Sequence, residues 1–178
     1  MITKKAIWLP LSFFLIISVM LLGISPQVAA QSNSERLIGT WKLISLESVL
    51  STGEISYAWM GKKPLGQTMY DKTGHMSVQL MRDPRPTFAS GPQKATPEEI
   101  KAAYQGYYSY FATYKTNEKE GTIINHIIGS LWPKEVGTDK KLFFKFSEDR
   151  LIITTPTIKR PGRQWFNRMT YERAEKGK

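Results

Sequence analysis

After its first thirty residues, the chain alternates apolar and polar positions in short runs broken by turn-forming residues. From Leu37 to Val49, Trp41, Leu43 and Val49 share one parity, and Ile44 and Leu46 share the other. Side chains alternate across a strand, so this first strand carries apolar residues on both faces. A looser stretch, Leu50 to Pro64, holds Gly53, Tyr57, Trp59 and Gly61. Gly66–Tyr70 and His75–Arg82 then read as a hairpin around Asp71-Lys72-Thr73-Gly74, with Gly74 suited to a left-handed bulge position.

Asp83 to Gln93 is punctuated by Pro84, Pro86, Gly91 and Pro92 and reads as a loop. The sharpest local signal follows it. Thr96 stands at an N-cap, Pro97 at the first helical position and Glu99 three residues past the cap. Ile100, Ala103, Tyr104, Tyr107, Tyr108 and Phe111 step at three and four, which predicts one amphipathic helix over 97–109. That helix has no strand partner, and capping the barrel mouth would bury its tyrosine-rich face. Strand patterns resume at Phe111–Lys115, Thr122–Leu131, Leu142–Phe146, Leu151–Thr155 and Gln164–Glu172. The pattern predicts about eight short strands with tight turns and one helix: an all-β, mainly antiparallel barrel or sandwich.

The first thirty residues follow a different logic. Lys4 and Lys5 precede an apolar run from Ala6 to Gly23, interrupted by Pro10, Ser12 and Ser18, and Val28-Ala29-Ala30 ends the segment. A charged start, an apolar centre and a small-residue cleavage site make residues 1–30 a secretory signal peptide. The alternative is an uncleaved N-terminal membrane anchor, since the run approaches the length of a bilayer span. The expected divisions are thus a signal peptide (1–30), a polar leader (31–36), a barrel domain (37–173) and a basic tail (174–178). The expected location is periplasmic or secreted, with membrane contact through the signal peptide only.

The whole chain carries a net charge of +10; removing Lys4 and Lys5 with the signal leaves +8. The charge is scattered over predicted turns such as Lys62-Lys63, Lys140-Lys141 and Lys159-Arg160, not drawn into a stripe with interleaved aromatics, so a nucleic-acid partner is not expected. There is no cysteine, which removes disulfides and thiolate metal sites from consideration.

Gly39-Thr40-Trp41 resembles the Gly-x-Trp signature of the lipocalin superfamily. Leu37–Leu43, Gly74–Arg82, Arg85–Gly91, Thr96–Ile100 and Gly129–Pro133, in that order, resemble the bacterial and fungal lipocalin-like domain family from about Leu37 to Arg173. The resemblance implies a barrel of eight strands, whose interior is filled by side chains or holds one small ligand. It also implies a structural pair of the signature Trp41 with a last-strand arginine, Arg173 in preference to Arg168.

The catalytic motifs are missing. There is no G-x-S-x-G elbow, no H-E-x-x-H and no glycine-rich phosphate loop, and two histidines make a thin case for a metal. No catalytic residue, metal or cofactor is therefore assigned. His126 stands among isoleucines in a strand, sharing its face with Ile124, Ile128, Ser130 and Trp132, while Asn125 shares the other with Ile123, Ile127 and Leu131. If the His126 face is inward, the imidazole is a polar anchor in an apolar pocket. If it is outward, His126 is a surface residue. Ser77 and Gln79 pose the same choice of face against Met76, Val78 and Leu80. The pocket candidates are His126, Trp132, Ser77, Gln79, Tyr70, Tyr107, Tyr110 and Tyr114, and the expected partner is a small apolar or aromatic molecule. The competing functions are an isomerase or cyclase using the same cavity, and a filled-core structural or partner-binding protein.

Overall fold

A computed structural model of the chain describes residues 31–57 and 59–175, with Thr3 alone before them. The segment expected to be a signal peptide, Thr3 apart, and the last three residues of the chain lie outside the described residues. The chain divides into two units, Met1–Gln31 and Ser32–Lys178, and the second is the barrel. Among the described residues no helix is long and apolar enough to cross a membrane.

The order of elements is α1 (Asn33–Leu37), β1 (Gly39–Leu50), β2 (Ile55–Ser56), β3 (Leu65–Tyr70), β4 (His75–Met81), α2 (Pro97–Gln105), β5 (Tyr107–Asn117), β6 (Thr122–Ser130), β7 (Asp139–Ser147), β8 (Arg150–Thr154), β9 (Ile158–Arg160) and β10 (Arg163–Arg173). Strands β1, β3, β4, β5, β6, β7, β8 and β10 pair antiparallel in that order, and β10 returns to pair with β1. The sheet is therefore a closed barrel of eight strands, with β2 and β9 added as short flaps.

A β-bulge explains why the first strand is apolar on both faces. The β1–β10 register shifts between Leu43 and Ser45. An extra residue in one strand reverses which parity points inward. Trp41 and Leu43 are buried before the shift and Leu46 after it, while Ile44 is left 37% exposed.

One end of the barrel is closed at the β1–β10 seam. Trp41 and Arg173 are register partners there. The Arg173 guanidinium lies 3.8 Å from the Trp41 ring centroid. It donates to the carbonyls of Ile38 at 2.6 Å and Arg36 at 2.7 Å, and the indole N–H donates to the Leu37 carbonyl at 2.8 Å. Gly39 makes room for this stack: its φ is +126°, and a Cβ there would stand 2.5 Å from an Arg173 nitrogen. Arg168 sits elsewhere, ion-paired with Glu47 at 2.6 Å.

The residues expected to form a plain polar leader instead make α1, which covers this closed end. Ser32 and Glu35 form a reciprocal capping box, so even one turn has its orphan amides satisfied. Leu37 is fully buried in the core, Arg36 stacks over Phe146 at 4.0 Å, and Ser34 bonds Glu118 and Thr116 of the β5–β6 end.

Helix α2 corrects the expectation for 97–109. Its capping box at Thr96 and Glu99 is present, but it stops at Gln105, with Gly106 as C-cap, and Tyr107 already begins β5. No residue of α2 is buried; Ile100 is 53% and Tyr104 49% exposed. Tyr107, Tyr108 and Phe111, which fit the helical step in the sequence, are strand residues. The element that plugs the barrel is α1, at the opposite end.

Candidate functional site

The other end of the barrel opens into a cavity of about 780 Å3. Alternation decides its walls. On β4, Met76, Val78 and Leu80 are buried, and Val78 and Leu80 line the cavity. From β7, β8 and β10 come Leu142, Ile153, Met169 and Tyr171. Tyr70 and Tyr110 complete an apolar and aromatic interior, and Trp59 and Trp132 stand with them. Trp59, Tyr108 and Trp132 pack on one another, with ring centroids 4.4 to 5.9 Å apart.

The cavity wall also holds a charged polar cluster. The Tyr108 hydroxyl donates to Glu135 Oε2 at 2.7 Å, and the Ser130 hydroxyl donates to the same oxygen at 2.9 Å. Lys140 Nζ donates to Glu135 Oε1 at 2.6 Å and also to the Tyr108 hydroxyl. The ammonium stands 4.8 Å from the Tyr110 ring centroid. Burial alone would push the Glu135 carboxyl up, but the bonds from Lys140 and Tyr108, the Lys140 charge and the Ser130 bond together hold it below its ordinary value. Burial, and then the carboxylate it serves, raise Tyr108. Glu135 is therefore anionic and Tyr108 protonated at neutral pH.

Deeper in the barrel, burial raises Tyr70, Tyr110 and Tyr171, so all three keep their protons. Asn125 is fully buried and donates through Nδ2 to the Tyr110 hydroxyl at 2.9 Å. Its Oδ1 has no hydrogen-bond partner.

The model of the lipocalin-like domain family matches residues 38–174. The chain belongs to the lipocalin-like domain family. No curated protein matches the sequence.

In this lipocalin-like barrel the expected pocket residues divide in two. Tyr70, Tyr110 and Trp132 line the cavity. Tyr107 and Tyr114 are half-buried and are not among its lining residues. Tyr114 instead buttresses Tyr70 edge-on at 5.0 Å and donates to the Asp71 carbonyl at 2.7 Å. Ser77 and Gln79 fall on the outer face of β4, opposite buried Met76, Val78 and Leu80. Gln79 meets Gln67 there at 3.5 Å.

His126 also requires correction. Its side chain is 58% exposed and paired at 2.8 Å with Asp139, so the imidazole is on the outer face and Asn125 takes the interior. Isoleucine occupies both faces of β6, and only the closure of the sheet separates them. Tyr108, Glu135 and Lys140 were not among the sequence candidates. The readable signal was Lys140 sharing its parity with Leu142, Phe144 and Phe146, a charge on an apolar face.

Proposed function

We propose that the protein is exported and that its barrel binds a small hydrophobic or aromatic molecule. The observation that carries this reading is the cavity of about 780 Å3 that opens at one barrel end. Its size and its mix of apolar walls with a few polar groups are those of small-molecule sites. Export rests on the basic start, apolar run and Val28-Ala29-Ala30 of the N-terminal segment. Interior space of this size supports a binding barrel over a filled structural core.

Binding is favoured over proton-transfer catalysis by the state of the polar cluster. General acid–base groups work best when poised near the operating pH. Glu135 is held below its ordinary range and Tyr108 above its own. His126, the other proton carrier considered, is outside the cavity.

The test is native mass spectrometry of the protein purified from its host's envelope, beside the same preparation after denaturation. A small molecule lost on denaturation supports the binding reading and gives the ligand's mass. An apo mass, together with no uptake of a neutral apolar dye, overturns it. N-terminal sequencing of the same material tests the cleavage: a chain beginning at Gln31 supports it, and one beginning at Met1 refutes it and favours an N-terminal anchor, while recovery of the protein in the cytoplasmic fraction instead of the envelope refutes export.

A further inference from the structure

Flap β9 and the start of β10 form a short hairpin at the open end. Pro161 and Gly162 make its turn, with Gly162 at φ +72°. Ile158 is the register partner of Trp165, and Arg160 that of Arg163. These four residues line the cavity; Lys159 and Gln164, of the opposite parity, do not. The hairpin thus shows the cavity an apolar pair nearer the barrel and a pair of arginines at its tip.

Two like charges facing each other across a strand pair are destabilising. Among the described residues neither Arg160 nor Arg163 has a carboxylate within ion-pair distance. Arg163 has only the Trp165 ring, 5.3 Å away. The two carboxylates on the cavity lining are engaged elsewhere, Glu135 by Lys140 at 2.6 Å and Asp139 by His126 at 2.8 Å. Lys141 turns to Glu120 at 3.4 Å. The uncompensated positive charge of the mouth is therefore concentrated on one arginine pair. Guanidinium groups suit carboxylate, sulfonate or phosphate oxygens because their N–H fork can bind two oxygens at once.

Resting on the reading that the cavity holds a ligand, we propose that the ligand is an amphipathic anion, its apolar body inside the barrel and its negative head group between Arg160 and Arg163. Ile158 and Trp165 contact the body next to the head, and the opposed arginines lose their mutual repulsion when the anion seats. The site selects for one negative charge at a fixed distance from an apolar or aromatic body.

Two dyes of nearly the same shape separate this inference from the binding reading beneath it. N-phenyl-1-naphthylamine is neutral, and 8-anilinonaphthalene-1-sulfonate carries one negative charge. Both are titrated by fluorescence into the chain expressed with its own N-terminal segment, into the double variant Arg160→Gln/Arg163→Gln, and into Lys159→Gln as a control for general positive charge. The expected result is that both dyes bind and compete. The double variant weakens the sulfonate about tenfold or more, the scale of one charge-assisted hydrogen bond. It leaves the neutral dye within about twofold, and Lys159→Gln changes neither. If both dyes bind and the double variant changes neither, or if Lys159→Gln weakens the sulfonate as much, the head-group site is refuted and the binding reading stands. If only the neutral dye binds, the head-group site is likewise refuted. If neither dye binds and the envelope preparation is apo by native mass spectrometry, both readings fall.

Discussion

Replacing Arg173 by Ala removes the clasp at the barrel seam, and the structure sets the size of the loss. The guanidinium lies 3.8 Å from the Trp41 centroid and donates to two carbonyls at 2.6 and 2.7 Å. A cation–π contact at an exposed site contributes about 0.5–1 kcal/mol. Hydrogen bonds from a charged group contribute roughly 1.5–3 kcal/mol each when desolvated, but these two are solvent-exposed, and water can replace the arginine at the carbonyls. Counting each near about 0.5–1 kcal/mol gives a total loss of about 2 kcal/mol. For a domain of this size that corresponds to a fall in Tm of roughly 5–8 °C.

Arg173→Lys keeps the charge but loses the planar fork that reaches both carbonyls while stacking, so it should recover less than half of the loss. Thermal melts followed by far-UV circular dichroism, with urea titrations beside them, measure both variants. The urea midpoint should fall with an unchanged slope, because the same surface is exposed on unfolding. An Arg173→Ala protein melting within about 1 °C of the parent would refute the reasoning, since the clasp would then carry none of the estimated 2 kcal/mol. Full recovery in Arg173→Lys would show that charge alone matters.

Glu135 should make stability depend on pH. Its folded pKa is below the ordinary value of 4.5, so its contribution is complete above that pH and is lost as pH falls through the folded value. Glu135→Gln should therefore show a smaller drop in urea midpoint than the parent between pH 7 and pH 3; equal drops would refute the pairing with Lys140. His126→Ala should change stability by less than about 0.5 kcal/mol and leave dye affinity unchanged, because the Asp139 pair is exposed; a loss of binding in a fluorescence titration would place the imidazole in the site after all. Val78→Trp puts a large ring into the cavity from a buried wall position and should abolish neutral-dye binding while the barrel's circular dichroism is retained; undiminished binding would mean that the dye sits elsewhere.

Where one periodicity acted alone, the sequence could be read directly. The β3–β4 hairpin and the start of α2 lie where turn and capping chemistry put them. The end of α2 is ambiguous in the sequence because Tyr107, Tyr108 and Phe111 satisfy a helical step of three and four as well as a strand alternation. Gly106 and pairing with β4 decide for the strand. α1 was readable from Ser32 and Glu35 as a capping box, but its use as a plug needs the distant partners Glu118, Glu148 and Phe146.

The site was legible only in part. Tyr70, Tyr110 and Trp132 were found as members of an aromatic set, without the sequence saying which ring faces in. The choice between His126 and Asn125 depends on which face of β6 is inward, and Ile124 and Ile128, 43% and 45% exposed, make the outer face look like a core. Tyr108, Glu135 and Lys140 are brought together by β5, β7 and the 131–138 connection, so no local spacing announces them. Arg160 and Arg163 read as turn charge. Only the β9–β10 register shows that they oppose each other over the cavity.

The closed seam also bears on how the folded protein resists self-association. A sheet that returns on itself offers no row of unpaired amides and carbonyls to a neighbouring chain. The free edges left among the described residues belong to the flaps β2 and β9, of 2 and 3 residues. Flap β9 also carries Lys159 and Arg160, and cations on so short an edge oppose strand addition by a second molecule. The β1–β10 ladder, from Trp41 with Arg173 to Leu50 with Trp165, therefore keeps two long strands from offering their edges, and opening that seam would expose β1 and β10 as new templates for aggregation.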